Sequence, residues 1–296
     1  MSLKLYDDTN ISAIASAIRS KRGSETLFKV SEMSAGIGAL QEDLLYLMQN
    51  NDSNHRLTLT DESIKSKATK IKKYTFYEAY IGSLNLQNIE EVGAYAFYNG
   101  RVTTLVLPNC ITLESYAFYK INKVDDPITT WDLSKVESIG DSCFYESKLT
   151  GLLDLPNCKT IGNNSFRSCP ITAGVNLPKA ETISTEAFNF VSFGVDITLP
   201  KIKTIGARAF NHTHSENFTI GAECTSIGSN IFNAGSGVTN LFVLATTPPT
   251  LSGRFKGSSG MSGVSHIYVP ADSVADYKSA NNWNIYESII EAIPTV

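Results

Sequence analysis

Two aspartates have the type and spacing that could support catalysis. Asp132 and Asp154 each lie between the two apolar residues of an apolar-x-apolar segment, one repeat apart. If these segments are neighbouring parallel strands, the carboxylates lie about 5 Å apart, near the separation in retaining glycosidases. The pair could instead hold a cation or contact a sugar hydroxyl. Because an exposed row of strand residues has no cleft that excludes water, we expect a solvated surface and no enzymatic activity.

Tyrosine returns at two fixed positions relative to a recurring phenylalanine and could supply a binding surface. Three tyrosines lie two residues before the phenylalanine and four directly follow it: Tyr74, Tyr95 and Tyr116, and then Tyr77, Tyr98, Tyr119 and Tyr145. Tyrosine gives a large amphipathic contact area at a low cost in conformational entropy. The sequence leaves two interpretations open: a patch that binds sugar or protein, or stacked aromatics that seal the flank of the molecule or contact its N-terminal helices.

Metal, nucleotide and hydrolase motifs are weak or absent in the sequence. His212, His214 and Glu216 could chelate a metal, but no second cluster with ligand spacing accompanies them. The sequence has no Walker A, G-x-G-x-x-G, H-E-x-x-H or G-x-S-x-G motif. We therefore predict no catalytic residue, no bound metal and no cofactor.

A repeat marked by phenylalanine must position these residues. The phenylalanine recurs at steps of 21 to 26 residues, and each time an aliphatic residue lies five positions earlier. The phenylalanines are Phe76, Phe97, Phe118, Phe144, Phe166, Phe188, Phe210 and Phe232. Most repeats also carry an alternating apolar pair thirteen and eleven residues before the phenylalanine, such as Leu153 and Leu155. A period of roughly 20–29 residues with this pattern is typical of a leucine-rich repeat.

The pattern predicts a mainly β fold, a leucine-rich-repeat solenoid with parallel strands over residues 55–240. The apolar pairs would form short strands, the phenylalanine rings would fill the core, and about eight turns would give a sheet near 40 Å long. Cys110, Cys158 and Cys224 share one apolar position of the repeat, so we expect reduced, buried cysteines.

Both ends of the chain depart from the period. Residues 1–50 are predicted to form two N-terminal α-helices. The second helix carries apolar residues at coiled-coil spacing, namely Met33, Ile37, Leu40, Leu44 and Leu47. This seam either packs within the chain or joins copies into a homodimer or homotrimer. Residues 241–296 are predicted to form a C-terminal strand–helix cap, with strands at 241–244 and 266–269 and a helix at 272–281.

Composition argues against several classes of partner. The 296 residues carry a net charge of −4 with mixed signs, so no electrostatic footprint for nucleic acid is visible. No apolar run approaches the roughly 18 residues needed to cross a bilayer, so we expect no membrane insertion. No secretory leader is visible near the N-terminus either.

Two stretches carry a family resemblance. The segments LDLPNCKTIGNNSF and ITLPKIKTIGARAF resemble the BspA-like leucine-rich repeat family of bacterial surface proteins, and the resemblance extends over about residues 55–296. The first 40 residues resemble a short N-terminal module of tail and baseplate proteins of phages that infect Gram-positive bacteria. This second match rests on residues 14–19, Gly23 and residues 31–33, and Val30 stands where proline is frequent.

Together the resemblances imply a non-enzymatic virion protein of a phage tail or baseplate. Residues 1–50 would attach it to other tail or baseplate proteins, and the solenoid would bind a host cell-surface glycan or protein. A BspA-like adhesin on the bacterial cell surface, which would bind host matrix proteins, is the alternative. A depolymerase of surface glycan is a third possibility and would need Asp132 and Asp154 to lie in a groove. The absence of a visible leader favours the virion.

Overall fold

The computed structural model of the chain describes residues 69–79, 81, 83–122, 127–232, 237–255 and 264–294. Over these ranges the backbone winds in successive turns whose strands pair in parallel, which confirms the predicted mainly β solenoid. The predicted N-terminal helices and the seam of Met33, Ile37, Leu40, Leu44 and Leu47 lie outside the described residues.

One sheet of nine strands runs the length of the solenoid. Its strands are β1 (Lys70–Ile71), β3 (Glu91–Val92), β5 (Thr112–Leu113), β7 (Ser138–Ile139), β9 (Thr160–Ile161), β11 (Thr182–Ile183), β13 (Thr204–Ile205), β15 (Ser226–Ile227) and β17 (Thr250–Leu251). Each strand places one aliphatic side chain in the core and one polar side chain outside. The long parallel sheet is therefore present, but it is formed at the aliphatic position five residues before each phenylalanine rather than by the apolar pairs.

The apolar pairs form three shorter sheets. The first contains β2 (Ser83–Asn85), β4 (Thr104–Val106) and β6 (Trp131–Asp132), the second β8 (Leu153–Asp154) and β10 (Val175–Asn176), and the third β12 (Ile197–Leu199), β14 (His214–Ile220), β16 (Gly237–Val243), β18 (His266–Val269) and β19 (Ile290–Ala292). The first break follows the 26-residue repeat. There Trp131, the first apolar residue of its pair, is half-buried, and its indole N–H donates to the carbonyl oxygen of Thr150 at 3.1 Å.

The repeated phenylalanines form the centre of the core. All eight are buried, and the rings from Phe76 to Phe210 stack on their neighbours with centroids 4.9–5.4 Å apart. The parallel stack ends at Phe210, where Phe218 of β14 meets it edge-on. Cys110, Cys158 and Cys224 are buried and free, as predicted, and Cys143 and Cys169 are also buried and free.

A cap of short helices closes the C-terminal end. It contains the 3-10 helix η1 (Ala271–Ser273), the α-helix α1 (Val274–Ser279) and the 3-10 helix η2 (Asn284–Ile289). Tyr277 and Trp283 are fully buried, and they donate hydrogen bonds to the carbonyl oxygens of Ala245 at 2.8 Å and Pro249 at 2.7 Å. The α-helix Val274–Ser279 is shorter than the predicted helix at 272–281, because residues 271–273 form a 3-10 helix and the helix ends at Ser279. Among the described residues, none of the helices has the length and apolar character of a membrane span.

Candidate binding site on the flank of the solenoid

A six-residue turn around each phenylalanine positions the tyrosines. The residue two before the phenylalanine has a left-handed backbone in every turn, with φ between 53° and 63° from Tyr74 to Asn230. The turns are joined by hydrogen bonds, because the N–H of Tyr95 donates to Ser115 at 3.2 Å and that of Tyr116 donates to Asp141 at 2.9 Å. Side chains at one position of the turn therefore lie above one another, about 4.8 Å apart, as residues do on adjacent strands.

The seven tyrosines form two parallel stacks, which we call the inner and the outer stack. The inner stack contains Tyr74, Tyr95 and Tyr116, with centroids 5.1 and 4.8 Å apart. The outer stack contains Tyr77, Tyr98, Tyr119 and Tyr145, with centroids 5.0, 4.7 and 5.1 Å apart. The two stacks touch in each of the first three turns, with centroids 5.6–5.9 Å apart. They form one surface, which we call the tyrosine surface.

The tyrosine surface is partly exposed along its whole length. Because neighbouring rings cover one another's faces, most of the rings offer solvent their edges and hydroxyls. Burial is the main reason that the pKa values of the Tyr95, Tyr98 and Tyr145 hydroxyls lie above the ordinary value. A row of neutral hydroxyls on a rigid aromatic base can donate and accept hydrogen bonds at regular intervals.

Cationic side chains border the tyrosine surface. The Lys73 amine lies 4.8 Å from the Tyr74 ring centroid, and the Lys120 amine lies 5.0 Å from that of Tyr119. The Arg167 guanidinium lies 5.7 Å from the Tyr145 ring centroid and so continues the outer stack by one position. Such cation–π contacts are worth about 0.5–1 kcal/mol at exposed sites. They hold the rings at the edge of the surface.

The flank becomes polar beyond Arg167. Glu186 binds the guanidinium of Arg167 and, at 3.2 Å, that of Arg208. The amide of Asn189 donates to the same carboxylate at 3.0 Å, and Asn211 donates to Asn189 at 2.8 Å. The change from tyrosine to arginine and asparagine therefore ends the tyrosine surface at Tyr145, and the exposed ring of Phe190 lies 5.6 Å from the Arg167 guanidinium.

The structure does not pair the strands that carry Asp132 and Asp154. Strand β6 ends the three-stranded sheet and β8 belongs to the two-stranded sheet, so the expected lateral pairing is wrong. The Asp132 carboxylate accepts the N–H of Ser134 at 2.9 Å, and that of Asp154 accepts the amide of Asn176 at 2.7 Å. The ladder of apolar-pair strands is interrupted between these two positions, after the 26-residue repeat.

The histidines near residue 213 contact other partners. The His212 ring stacks on that of Phe190 with centroids 4.1 Å apart, and His214 shares a 3.2 Å hydrogen bond with Ser192. Burial first, and then the charge of His214, lower the pKa of His212. Over the described ranges, no group of three or more His, Cys, Asp or Glu residues is arranged to hold a metal ion.

The sequence placed three tyrosines in one column and four in the other, so the earlier end of the inner stack was already visible. It did not predict that the Arg167 guanidinium would lie 5.7 Å from the Tyr145 ring centroid. The available signal was the position of Arg167 directly after Phe166, where the preceding turns carry tyrosine.

The repeat itself assigns the family. Residues 51–172 and 159–258 match the BspA type leucine-rich repeat region, in six copies. The chain belongs to the BspA-type leucine-rich repeat family. As in other leucine-rich solenoids, BspA-type repeats stack into an extended surface suited to binding.

A solved structure of another leucine-rich repeat protein is similar to part of this chain. It comes from Bacteroides ovatus ATCC 8483, with 15% sequence identity and a TM-score of 0.42. The match covers 69% of this chain and 59% of that chain. No curated protein shows a significant match.

Proposed function

We propose that this protein is a non-enzymatic binding protein of a phage tail or baseplate, and that the tyrosine surface contacts a ligand on the host cell. The observation that carries the proposal is the pair of contiguous tyrosine stacks. Aromatic rings held in register by the backbone lose little conformational entropy when a ligand binds. A surface of this kind favours contact with a partner over a reaction that requires the exclusion of water.

The assignment to a virion rests on the resemblance of residues 14–33 to modules of phage tail and baseplate proteins. In this proposal, residues 1–50 attach the chain to other tail or baseplate proteins. The seam from Met33 to Leu47 joins copies into a homotrimer or homodimer. Several copies on one particle raise the effective concentration of binding sites, so a weak contact per copy is sufficient for attachment.

The arrangement of the carboxylates supports a non-enzymatic role. A retaining glycosidase needs two carboxyl groups about 5–5.5 Å apart on either side of the bond to be cleaved. Here Asp132 and Asp154 lie on strands of different sheets, and each carboxylate already accepts a hydrogen bond. Contact of Asp132 and Asp154 with a ligand remains part of the proposal.

Binding of the fluorescently labelled full chain to whole cells tests the proposal. We expect the chain to bind cells of some strains in a panel of Gram-positive bacteria, and Tyr98→Ala with Tyr119→Ala to weaken binding about tenfold or more. The matched control is Tyr268→Ala, which removes a half-buried tyrosine of β18 away from the turns that carry the tyrosine stacks.

Three outcomes would contradict the proposal. Equal binding by the wild type and the double variant would exclude the tyrosine surface. Binding to immobilised matrix proteins, but not to bacteria, would favour the adhesin. Release of sugar from cell walls, abolished by Asp154→Ala, would identify a depolymerase.

The oligomeric state tests the role of residues 1–50. We expect mass photometry of the full chain to show dimers or trimers, and Leu40→Asp with Leu44→Asp to convert them to monomers. The matched control is Gln41→Asp, which introduces the same kind of charge next to the seam instead of within it. A monomeric wild type would overturn this part of the proposal.

A further inference from the structure

One large apolar side chain stands where the other turns carry polar residues. Phe190 lies two residues after the repeated Phe188, and it is 48% exposed. The corresponding residues of six other turns are Glu78, Asn99, Lys120, Glu146, Ser168 and His212. All seven have a left-handed backbone, with φ between 51° and 69°. Because bulky side chains are uncommon in this conformation, neither burial nor backbone preference explains the phenylalanine.

The two adjacent turns hold the Phe190 ring in place. His212, in the following turn, stacks on the ring with centroids 4.1 Å apart and an interplanar angle of 25°. The Arg167 guanidinium, in the preceding turn, lies 5.6 Å from the ring centroid. Because these neighbours approach from opposite directions along the solenoid, the ring is fixed and offers solvent mainly its edge. A fixed ring loses little conformational entropy when a partner covers it.

Arg167 belongs to a charged group in which positive charge is in excess. Glu186 binds the guanidinium of Arg167 and, at 3.2 Å, that of Arg208. Two cations therefore share one carboxylate. The Arg208 side chain is 52% exposed, whereas that of Glu186 is 14% exposed, so the most accessible of the three charges is a cation. We call Phe190, Arg167, Glu186, Arg208 and His212 the Phe190 cluster.

We propose that the Phe190 cluster docks an acidic segment of a protein on the host cell. An apolar side chain of that segment packs on the edge of Phe190, and a carboxylate binds Arg208. This inference rests on the proposed function, because it names the class of ligand. Arg167 also lies 5.7 Å from the Tyr145 ring centroid, so one partner can cover the tyrosine surface and the Phe190 cluster together. Guanidinium groups bind carboxylates through two parallel hydrogen bonds, and arginine and aromatic residues are enriched in protein interfaces.

The geometry of the Phe190 ring favours a protein over a glycan. A sugar ring stacks on the face of an aromatic ring, and here His212 and Arg167 approach the two faces. The exposed edge suits an aliphatic or aromatic side chain, which can pack without an open face. The excess positive charge further selects carboxylates and disfavours a basic segment.

Binding of the fluorescently labelled full chain to the strains that the wild type binds tests the apolar contact. We expect Phe190→Ser to weaken binding about tenfold, as the loss of a central interface residue does. The change introduces the residue type that Ser168 provides in the preceding turn. The matched control is Leu152→Ser, which removes an apolar side chain that is 49% exposed and lies outside the cluster. It should leave binding unchanged.

A second pair of variants tests the charge. We expect Arg208→Gln to weaken binding about fivefold and to reduce its dependence on salt, because an exposed cation at an interface attracts a carboxylate over a distance. The matched control is Lys201→Gln, which removes an exposed cation that pairs with Glu223 outside the cluster. It should change neither quantity. Urea titration followed by circular dichroism checks that all four variants are folded.

Protease treatment of the cells tests the class of ligand. We expect proteinase K to reduce binding about tenfold or more, because the ligand is a protein. Undiminished binding to treated cells would indicate a glycan and would overturn the proposal.

An acidic segment of the chain itself is the competing occupant. Residues 31–54 contain four acidic residues and no lysine or arginine. We expect Glu42→Lys with Asp43→Lys, in the full chain, to leave cell binding unchanged. Stronger binding by this variant would show that residues 31–54 cover the Phe190 cluster, and the proposal of an external partner would be wrong.

The proposal is also overturned if Phe190→Ser binds cells as well as the wild type, or if Leu152→Ser weakens binding equally. Failure of this docking site is distinguishable from failure of the proposed function. In the first case the Tyr98→Ala, Tyr119→Ala variant still loses cell binding while Phe190→Ser retains it. If the wild type binds none of the strains, both proposals fail.

Discussion

The rings of Phe97 and Phe118 lie parallel, with centroids 4.9 Å apart and an interplanar angle of 2°. The same contact recurs between neighbouring turns from Phe76 to Phe210 and fixes the turns in register. Because each ring touches the rings above and below, the core of this solenoid is a continuous column. Removal of one ring therefore removes packing contacts with both neighbouring turns.

Removal of a central ring should destabilise the fold strongly. Phe144 is fully buried between Phe118 and Phe166. We expect Phe144→Ala to lower the free energy of unfolding by about 3–5 kcal/mol, since it leaves a cavity that the stack cannot close. Urea denaturation followed by circular dichroism measures the loss. Phe190→Ala is the control, because Phe190 is 48% exposed, and a loss as large as that of Phe144→Ala would contradict this account of the core.

A glycine of the turn should not accept a side chain. A Cβ atom added to Gly206 would lie 2.3 Å from the backbone nitrogen of Thr185. We expect Gly206→Ala to destabilise the protein by about 1–3 kcal/mol through overpacking, measured by the same urea titration. Ser184 takes the equivalent position one turn earlier and already has a Cβ, so Ser184→Ala should be near neutral. Equal free energies of unfolding for the wild type, Gly206→Ala and Ser184→Ala would show that the backbone of the turn can shift to accommodate the added Cβ atom.

An ion pair beside the nine-stranded sheet, between residues that directly precede β7 and β9, should appear in the titration of one carboxyl group. A hydrogen bond from Lys159 at 2.7 Å, followed by the charge of that lysine, lowers the pKa of Glu137. The same bond raises the pKa of Lys159. We expect Lys159→Met to move the pKa of Glu137 up toward its ordinary value, measured by carboxyl-carbon NMR. Lys179→Met should have a smaller effect, because its charge is the weaker influence.

The direction of the pH dependence follows from these shifts. A depressed carboxyl pKa contributes stability above the ordinary value of 4.5, and the contribution is lost as the pH falls through the folded-state pKa. The raised lysine pKa contributes below the ordinary value of 10.5 and is lost at more alkaline pH. The pair therefore stabilises the fold throughout the neutral range. A stability gain on acidification that depends on Lys159 would contradict this sign.

The cysteines should be unreactive in the folded protein. Burial raises the pKa of Cys110 and Cys158 to about 12 and that of Cys224 to about 11, and it also raises the pKa values of Cys143 and Cys169. The thiolate is the reactive form. We expect Ellman's reagent at mildly alkaline pH to modify all five thiols only after urea is added, with Cys224 the first. Rapid modification of the native protein would show that the core opens.

Much of the fold could be predicted because one chemical pattern repeats. The position of Phe144 in the core and of Ile139 five residues before it follow from hydrophobic burial at a fixed period, and both are buried. The sequence did not predict which of the two strand positions in each repeat forms the continuous nine-stranded sheet and which forms the three shorter sheets. The Leu-x-Leu alternation is the stronger strand signal, yet the 26-residue repeat breaks that ladder after Asp132, while the short Thr–Ile strands remain in register.

The candidate site was only partly predictable. The tyrosine positions were visible, and the sequence correctly placed Tyr98 and Tyr119 in one column. Whether the rings would stack or splay depends on the left-handed turn, for which Tyr95 and Tyr116 give no local signal, because non-glycine residues rarely adopt that backbone. The pairing of Asp132 with Asp154 was wrong because it assumed uniform strand pairing across an irregular repeat.

From β9 to β13 every turn has the same length, and each strand pairs with the next in the same parallel register. A gene segment that encodes one such turn can be copied or lost in frame, and both new junctions still meet a partner of the same shape. Recombination between similar segments would thus lengthen or shorten the rod in increments of about 4.8 Å. The length of the solenoid is then a property that duplication or deletion of one turn can change while the contacts between turns stay the same.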